Sequence, residues 1–489
     1  MRKKILLIAF LFLNLYPVAA VEIEVNGLKY EVISKTQRAT LLPKTKSGYV
    51  IEYTDDMFYN GDIVIPEIIE YEGTIYNVTT IGSGAFAGSR GLTSVSIPNS
   101  IINIEYGAFN TCESLTSITI PNSVEIIDEY AFYSCTGLRS ITIGNNVTKI
   151  GKYAFNKCSN LAAVYITDLE AWCKIENNSN PLGYAHHLFL NGEEIVNLVI
   201  PNTVTTIGNA AFAGCAITSV YIPNSVTTIG GSAFSSCTEL TSVFIPNSVT
   251  TIRSGAFQGC TGLTTFIVPN SVVSINGVFE NCSNLVSISL PNSISSIGGY
   301  TFARCISLAS IDIPNSVKSI GTSAFLGCTN LVSIIIPNSV TTIEENAFLW
   351  CSRVSKIIIG NGVNTIGSHA FSGCSELFDV YCYAENVPSI MGHDYDWIIP
   401  TTDAFDDSYI EYATLHVPAN SISDYKAKEP WKDFKEIVAL TDSDPKPTGI
   451  NEIIVACQNA NLCYDLTGRI VQFPKKGIYV KNGKKYIKR

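Results

Sequence analysis

Apolar positions along the chain follow one phrase that returns about every 23 residues, roughly L-T-S-V-x-I-P-N-S-V-T-T-I-G-x-x-A-F-x-x-C. Its landmark phenylalanine is Phe86, Phe109, Phe132 and Phe155, then Phe212, Phe234, Phe257, Phe279, Phe302, Phe325, Phe348 and Phe371. The steps are 22 or 23 residues, with one of 57. A fixed apolar pattern at a fixed period predicts a solenoid. One such unit cannot bury its own apolar face, whereas stacked units can.

The unit from Leu240 to Cys260, LTSVFIPNSVTTIRSGAFQGC, shows how a coil is expected to form. Leu240, Val243 and Ile245 have the spacing that lines the inside, and strand alternation turns Ser242 and Phe244 outward. Pro246 ends the strand because it has no N–H for a ladder. Asn247 and Ser248 suit a turn. Val249 and Ile252 return to the core, and Phe257 and Cys260 fill it as a large and a small group. No unit has room for a long helix, so the remaining side should be turns with short helical or 3₁₀ pieces. The expected fold class is a mainly β solenoid with a small C-terminal β module.

Departures from the period mark domain organisation. Residues 21–78 read as an N-terminal β cap, with Asn26-Gly27 as a hairpin turn. The stack is expected over 79–440, with enlarged coils near 161–198 and 383–412. The first carries LAAVYITDLEAWCKI and a strand–Asn191-Gly192–strand signal. Near the end, Trp431 and Phe434 are expected to plug the core, since terminal repeats must cap it. Residues 441–449, TDSDPKPTG, read as a linker, and 450–489 as a separate β tail domain. The first twenty residues, MRKKILLIAFLFLNLYPVAA, have the basic start, apolar stretch and small-residue end of a secretory signal peptide.

Charge narrows the partners. The net charge is -10, and setting aside the basic residues at 2–4 and from Arg469 onward leaves -21 over residues 5–468. An acidic body repels phosphate backbones and anionic lipid, so nucleic acid is excluded as a partner. The mature chain shows no transmembrane segment and is expected to be monomeric.

Of the fifteen cysteines, eleven recur three residues after the landmark Phe: Cys112, Cys135, Cys158, Cys215, Cys237, Cys260, Cys282, Cys305, Cys328, Cys351 and Cys374. Equivalent positions point the same way in successive coils. The expectation is a buried column of free thiols acting as small hydrophobes, although neighbouring rungs come close enough for some bonds. No C-x-x-C spacing supports zinc.

Catalysis needs converging groups, and the repeat supplies none. Its serine column cannot act as a set of nucleophiles, because a nucleophile needs one base and one orienting partner. The five histidines are scattered; His393 with Asp394 and Asp396 is the one polar cluster, and a solvated loop is its default reading. No cofactor, metal or catalytic residue is expected, and the chain reads as a non-enzyme. What remains is the outward strand column. It runs Ser96, Thr119, Thr142, then Val199, Tyr221, Phe244 and Ile267, then Ser289, Asp312, Ile335 and Ile358. Val199, Tyr221, Phe244, Ile267, Ile335 and Ile358 form a candidate binding strip. The alternative is that such residues simply stabilise neighbouring strands.

The phrases IPNSVTTIG, GGSAFSSC and LVSISLP resemble the BspA-like leucine-rich-repeat family of bacterial surface proteins. The resemblance covers roughly residues 22–440. It implies a secreted or surface-displayed protein binding extracellular macromolecules, as an adhesin for host matrix or other cells. A passive spacer of the cell envelope is the alternative from another class. Glycan binding is a third reading, in which Tyr221 and Phe244 stack on sugars. In the tail, YDLTGR, KKGIYV and the GKK-bearing hairpin resemble C-terminal sorting domains of secreted Bacteroidetes proteins.

Overall fold

The computed structural model describes residues 20–45, 57–177, 179–391 and 403–447, and the backbone of four strands between 463 and 488. Residues 1–19 of the expected signal peptide, the HDYD cluster at 393–396, and most of the tail lie outside the described residues. Two compact units form: residues up to Leu138 together with Gly151–Ser159, and Arg139–Ile150 together with the chain from Asn160. Both are built from the same coil.

Each coil has three sides. The first is a short strand of the S-V-x-I segment in most coils, the second a two-residue strand at T-I, and within each sheet both pair in parallel with the same segment of the next coil. The first-side ladder breaks between Ser242–Phe244 and Thr265–Ile267, and no strand forms at residues 310–313. Ser219–Tyr221 pairs with Ser242–Phe244, for example, and Thr228–Ile229 with Thr251–Ile252. The third side is a turn around the Ala-Phe pair. Its ladder is made across coils: the Phe234 N–H donates to the Ala256 carbonyl at 2.8 Å and the Phe348 N–H to Ala370 at 2.7 Å. This turn needs left-handed backbone two residues either side of the phenylalanine. Gly255 (φ +71°) and Gly259 (φ +69°) flank Phe257 in that conformation, which glycine adopts without steric penalty.

The core is a set of identical columns. The landmark phenylalanines are fully buried. Their rings stack coil on coil at 4.9, 5.0 and 5.3 Å from Phe86 to Phe155 in the first unit. In the second unit the stack runs from Phe212 to Phe371, with spacings such as 4.8 Å for Phe325–Phe348. The thiol column lies beside them. All eleven repeat cysteines are buried and free. In ten of them Sγ–H donates to the carbonyl of the phenylalanine one coil earlier, as Cys112 does to Phe86 at 3.2 Å and Cys260 to Phe234 at 3.0 Å. That carbonyl already accepts the N–H of the cysteine in its own coil, as in the Cys237 N–H to Phe234 bond at 3.2 Å. The thiol therefore occupies its second lone pair while filling space as a hydrophobe. Burial raises the thiol pKa of Cys351 to about 12 and of Cys215 to about 12.

The ends and irregular coils depart from the period for local reasons. In the first unit Ala20–Val25 and Leu28–Ile33 form the hairpin expected at Asn26-Gly27, both residues with positive φ. A second hairpin, Ile68–Tyr71 with Thr74–Ile81, is inserted before the chain joins the parallel ladder at Asn103–Ile104. In the second unit the enlarged coil contains a short helix, Leu169–Lys174. It is capped by the Asp168 carboxylate, which accepts the Ala171 N–H at 3.0 Å. Trp172 from this helix is buried and donates its Nε1–H to the Ala211 carbonyl at 2.9 Å. The Asn191-Gly192 hairpin follows. At the far end Phe405 takes the landmark position on Phe371 at 5.4 Å, and Trp431 and Phe434 meet Phe405 edge-on, each at 5.4 Å.

Two expectations need correction here. Val243 and Ile245 are only half-buried in their coil, where Leu240, Val249, Ile252 and Phe257 supply the buried lining. The segment 441–447, whose composition suggested a free linker, is seated on the second unit. Tyr383 donates its hydroxyl to the Pro445 carbonyl at 2.9 Å, and the buried Pro447 lines a shallow depression together with Asn315, Asn338 and Ser339. Prolines break regular structure, but their rings are apolar and preset, so they also pack well against a surface. The described tail strands form a four-stranded antiparallel sheet, with Gly477–Lys481 between Cys463–Asp465 and Lys484–Lys488.

Candidate binding surface

The outward column of the second unit is positioned by strand alternation. In Ser219–Tyr221, Val220 is buried while Tyr221 is 50 % exposed. In the next strand Phe244 is 46 % exposed. Val199 precedes them in register, paired with Tyr221 as Tyr221 is with Phe244. The Tyr221 and Phe244 rings lie parallel, 5.8 Å apart and 7° from coplanar. Ile267, on the following strand pair, is 54 % exposed and Val199 is 60 % exposed. Four consecutive coils thus present apolar side chains outward, beside hydroxyl-bearing residues such as Ser219, Ser242 and Thr265.

The other two members of the expected strip differ. Ile335 is half-buried, and Ile358 is buried, at 3 % exposure. Ile358 sits in register between Ile335 and Tyr381. Tyr381 in turn stacks on His416 at 4.2 Å. Bulky neighbours one coil away on both sides leave Ile358 without a free surface. The exposed strip is therefore Val199, Tyr221, Phe244 and Ile267.

The period hid other outward-facing aromatic groups, half-buried at Tyr165 and Phe189. Tyr165 and Phe189 belong to the same outward column but fall inside the enlarged coil, where counting from the landmark Phe fails. They pair in register and stack at 4.8 Å. In the first unit Tyr106, Tyr130 and Tyr153 lie in contact on the turn side. Their sequence signal was present two and three residues before the landmark Phe, positions that in other coils often hold Gly, Ser or Asn and carry a ring elsewhere at Tyr300.

The histidines do not converge. His187 Nδ1 lies 2.5 Å from Glu194 Oε1 across the 188–194 hairpin, His186 Nδ1 meets the Gly214 carbonyl at 2.7 Å, and His416 Nε2 lies 3.4 Å from Asp379 Oδ1. Among the described residues no group of three or more His, Cys, Asp or Glu side chains could hold a metal ion, and no helix is long and apolar enough to cross a membrane.

The chain matches the family described as BspA type leucine rich repeat region in six copies, over residues 56–179, 184–277 and 276–391. No curated protein matches the chain. Similar crystal structures include a leucine-rich repeat protein from Bacteroides ovatus, at 22 % identity over 86 % of this chain and 100 % of that one, with a TM-score of 0.44. A leucine rich cell surface protein from Faecalibacterium prausnitzii is 22 % identical over 87 % of this chain and 96 % of its own, with a TM-score of 0.42. The pneumococcal vaccine antigen PcpA is 17 % identical over 86 % and 99 %, with a TM-score of 0.43. With the family match spanning more than half of its 489 residues, the chain belongs to the BspA-type leucine-rich-repeat family.

Proposed function

We propose that this protein acts outside the cell, secreted or displayed on the surface, and adheres to host matrix proteins or to other cells through the strip Val199–Tyr221–Phe244–Ile267. The observation that carries this reading is the parallel, half-exposed Tyr221–Phe244 pair flanked by two exposed aliphatic side chains. Aromatic groups of this kind dominate protein interfaces because they bring large contact area with few rotatable bonds. A rim of hydroxyls keeps the strip soluble when free and can hydrogen-bond when covered.

The basic tail, opposed in charge to the acidic body, serves export or surface attachment in this reading. Its deletion should leave the repeats folded, because repeat contacts are local, while changing where the protein accumulates in its host. Unchanged surface display would remove the sorting role.

Solid-phase binding of the full chain to matrix proteins, mucins, host cells and glycan arrays tests the function. Saturable binding to a matrix protein or cell is expected. Silence across all of them would favour a spacer of the envelope, and binding confined to glycans would replace the protein-adhesin reading.

A further inference from the structure

The first unit carries a second aromatic surface, away from any strand. Tyr106 and Tyr130 lie with ring centroids 5.4 Å apart, Tyr130 and Tyr153 at 5.2 Å, and Tyr130 and Tyr133 at 5.4 Å, tilted by 41–55°. Tyr106 is 53 % exposed and Tyr153 37 %. The row advances one ring per coil along the stack.

Two of these rings are held in an unfavourable backbone conformation. Tyr130 (φ +57°) and Tyr153 (φ +60°) occupy the left-handed position two residues before the landmark Phe. The two preceding coils place Gly84 (φ +64°) and Gly107 (φ +59°) there. A bulky residue at positive φ is strained, but the repeat fixes this conformation at the position in other coils too, which carry Ala210 (φ +51°), Ser232 (φ +54°), Asn346 (φ +57°) and His369 (φ +54°) there. Tyr300 (φ +55°) holds the same position alone, between coils carrying Gly277 and Ser323. The distinguishing feature of the first unit is therefore a run of adjacent rings.

Charge selects among ligands. Lys152 Nζ lies 4.9 Å from the Tyr153 ring centroid and Lys157 Nζ 5.0 Å from that of Tyr133. Against them stand Glu105, Asp128 and Glu129. Glu105 accepts the Ser83 N–H and Oγ–H at 3.0 and 3.1 Å, and Asp128 accepts the Glu129 N–H at 2.8 Å. Opposite charges nearly balance, so the surface has no electrostatic pull on a polyanion. A row of amphipathic rings at one-coil intervals suits a ligand that is itself linear, periodic and uncharged, with C–H faces for the rings and hydroxyls for the phenol edges.

We propose that Tyr106, Tyr130, Tyr133 and Tyr153 form a stacking platform for a neutral linear polysaccharide. The site is distinct from the Val199–Ile267 strip and stands independently of it.

Affinity electrophoresis of the full chain in gels containing soluble neutral glucans, xylans or mannans tests this, with hyaluronan as the acidic comparison. Retardation by at least one neutral polymer is expected, unchanged by added salt. Tyr130→Gly and Tyr153→Gly should each weaken it about tenfold, the scale of one lost stacking contact. Tyr300→Gly should leave it unchanged. Because glycine suits these positions, the thermal midpoint of each variant should not fall. The proposal is overturned if no neutral polymer retards the protein or if hyaluronan is preferred. It is equally overturned if the Tyr130 and Tyr153 variants bind like the parent, or if their lost binding comes with lost stability, which would make the rings packing groups.

Discussion

A single coil rests on one large side chain, one small thiol and two left-handed residues. Phe257 shows the first: it is fully buried and touches Phe234 and Phe279 in the coils on either side, plus Phe266 edge-on. Removing the ring leaves a cavity that neighbouring coils cannot close without breaking their own ladders. Phe257→Ala should cost about 3–5 kcal/mol, measurable as a lower denaturant midpoint; a loss below about 1 kcal/mol would mean the column is not the core. Close approach between coils sets a second constraint. A Cβ on Gly321 would stand 2.6 Å from the Gly299 nitrogen, so Gly321→Val should destabilise far more than a substitution at exposed Thr341, again read from the denaturant midpoint. The thiols make the stack pH-sensitive. Burial raises the folded-state pKa of Cys215, Cys351 and their column neighbours, to about 12 for these two, against about 8.5 for an unfolded cysteine. Above that unfolded value the unfolded chain releases protons that the folded chain keeps. Stability should be full below about pH 8.5 and fall as pH rises towards 12. Thermal midpoints from pH 7 to 11 check this, and a flat profile would contradict thiol burial.

Among the elements, the regular coils were legible in the sequence and the irregular ones only in part. The phenylalanine and cysteine columns followed from position alone, because equivalent residues in equivalent coils must point the same way. The Asn26-Gly27 and Asn191-Gly192 hairpins were legible from turn chemistry, since both residues tolerate positive φ. The helix Leu169–Lys174 was harder to read, because six residues give too short a period to separate from a turn. Exposure was also beyond a repeat pattern: Ile267 and Ile358 hold the same coil position, yet only Ile267 is exposed. The difference comes from Tyr381 and His416, residues of other coils. Pro445 and Pro447 misled for a related reason, since composition reports local flexibility and not the surface a segment lies against. The aromatic plug is an element-level device that can be tested. Trp431→Ala should expose the Phe405 end of the second unit and accelerate hydrogen exchange through 403–439, with coils around Phe234 protected as before. Uniform loss of protection throughout the second unit would show that the plug holds more than its own end.

For the whole molecule, the division of labour is between inward and outward positions. The inward columns are nearly uniform, so they specify a stack and carry no information about a ligand. The outward positions vary from coil to coil, and apolar or aromatic groups gather on them in short runs. That separation predicts that recognition can be removed without disturbing the fold. The double substitution Tyr221→Ser and Phe244→Ser tests it most directly, by measuring thermal stability and binding to the captured macromolecule on the same preparation. The account predicts a stability change of no more than about 1 kcal/mol, the range of strand propensity at exposed sites, with binding weakened by at least about 2 kcal/mol, as for a hot-spot pair. Undiminished binding, or a collapse of the fold alongside lost binding, would contradict it.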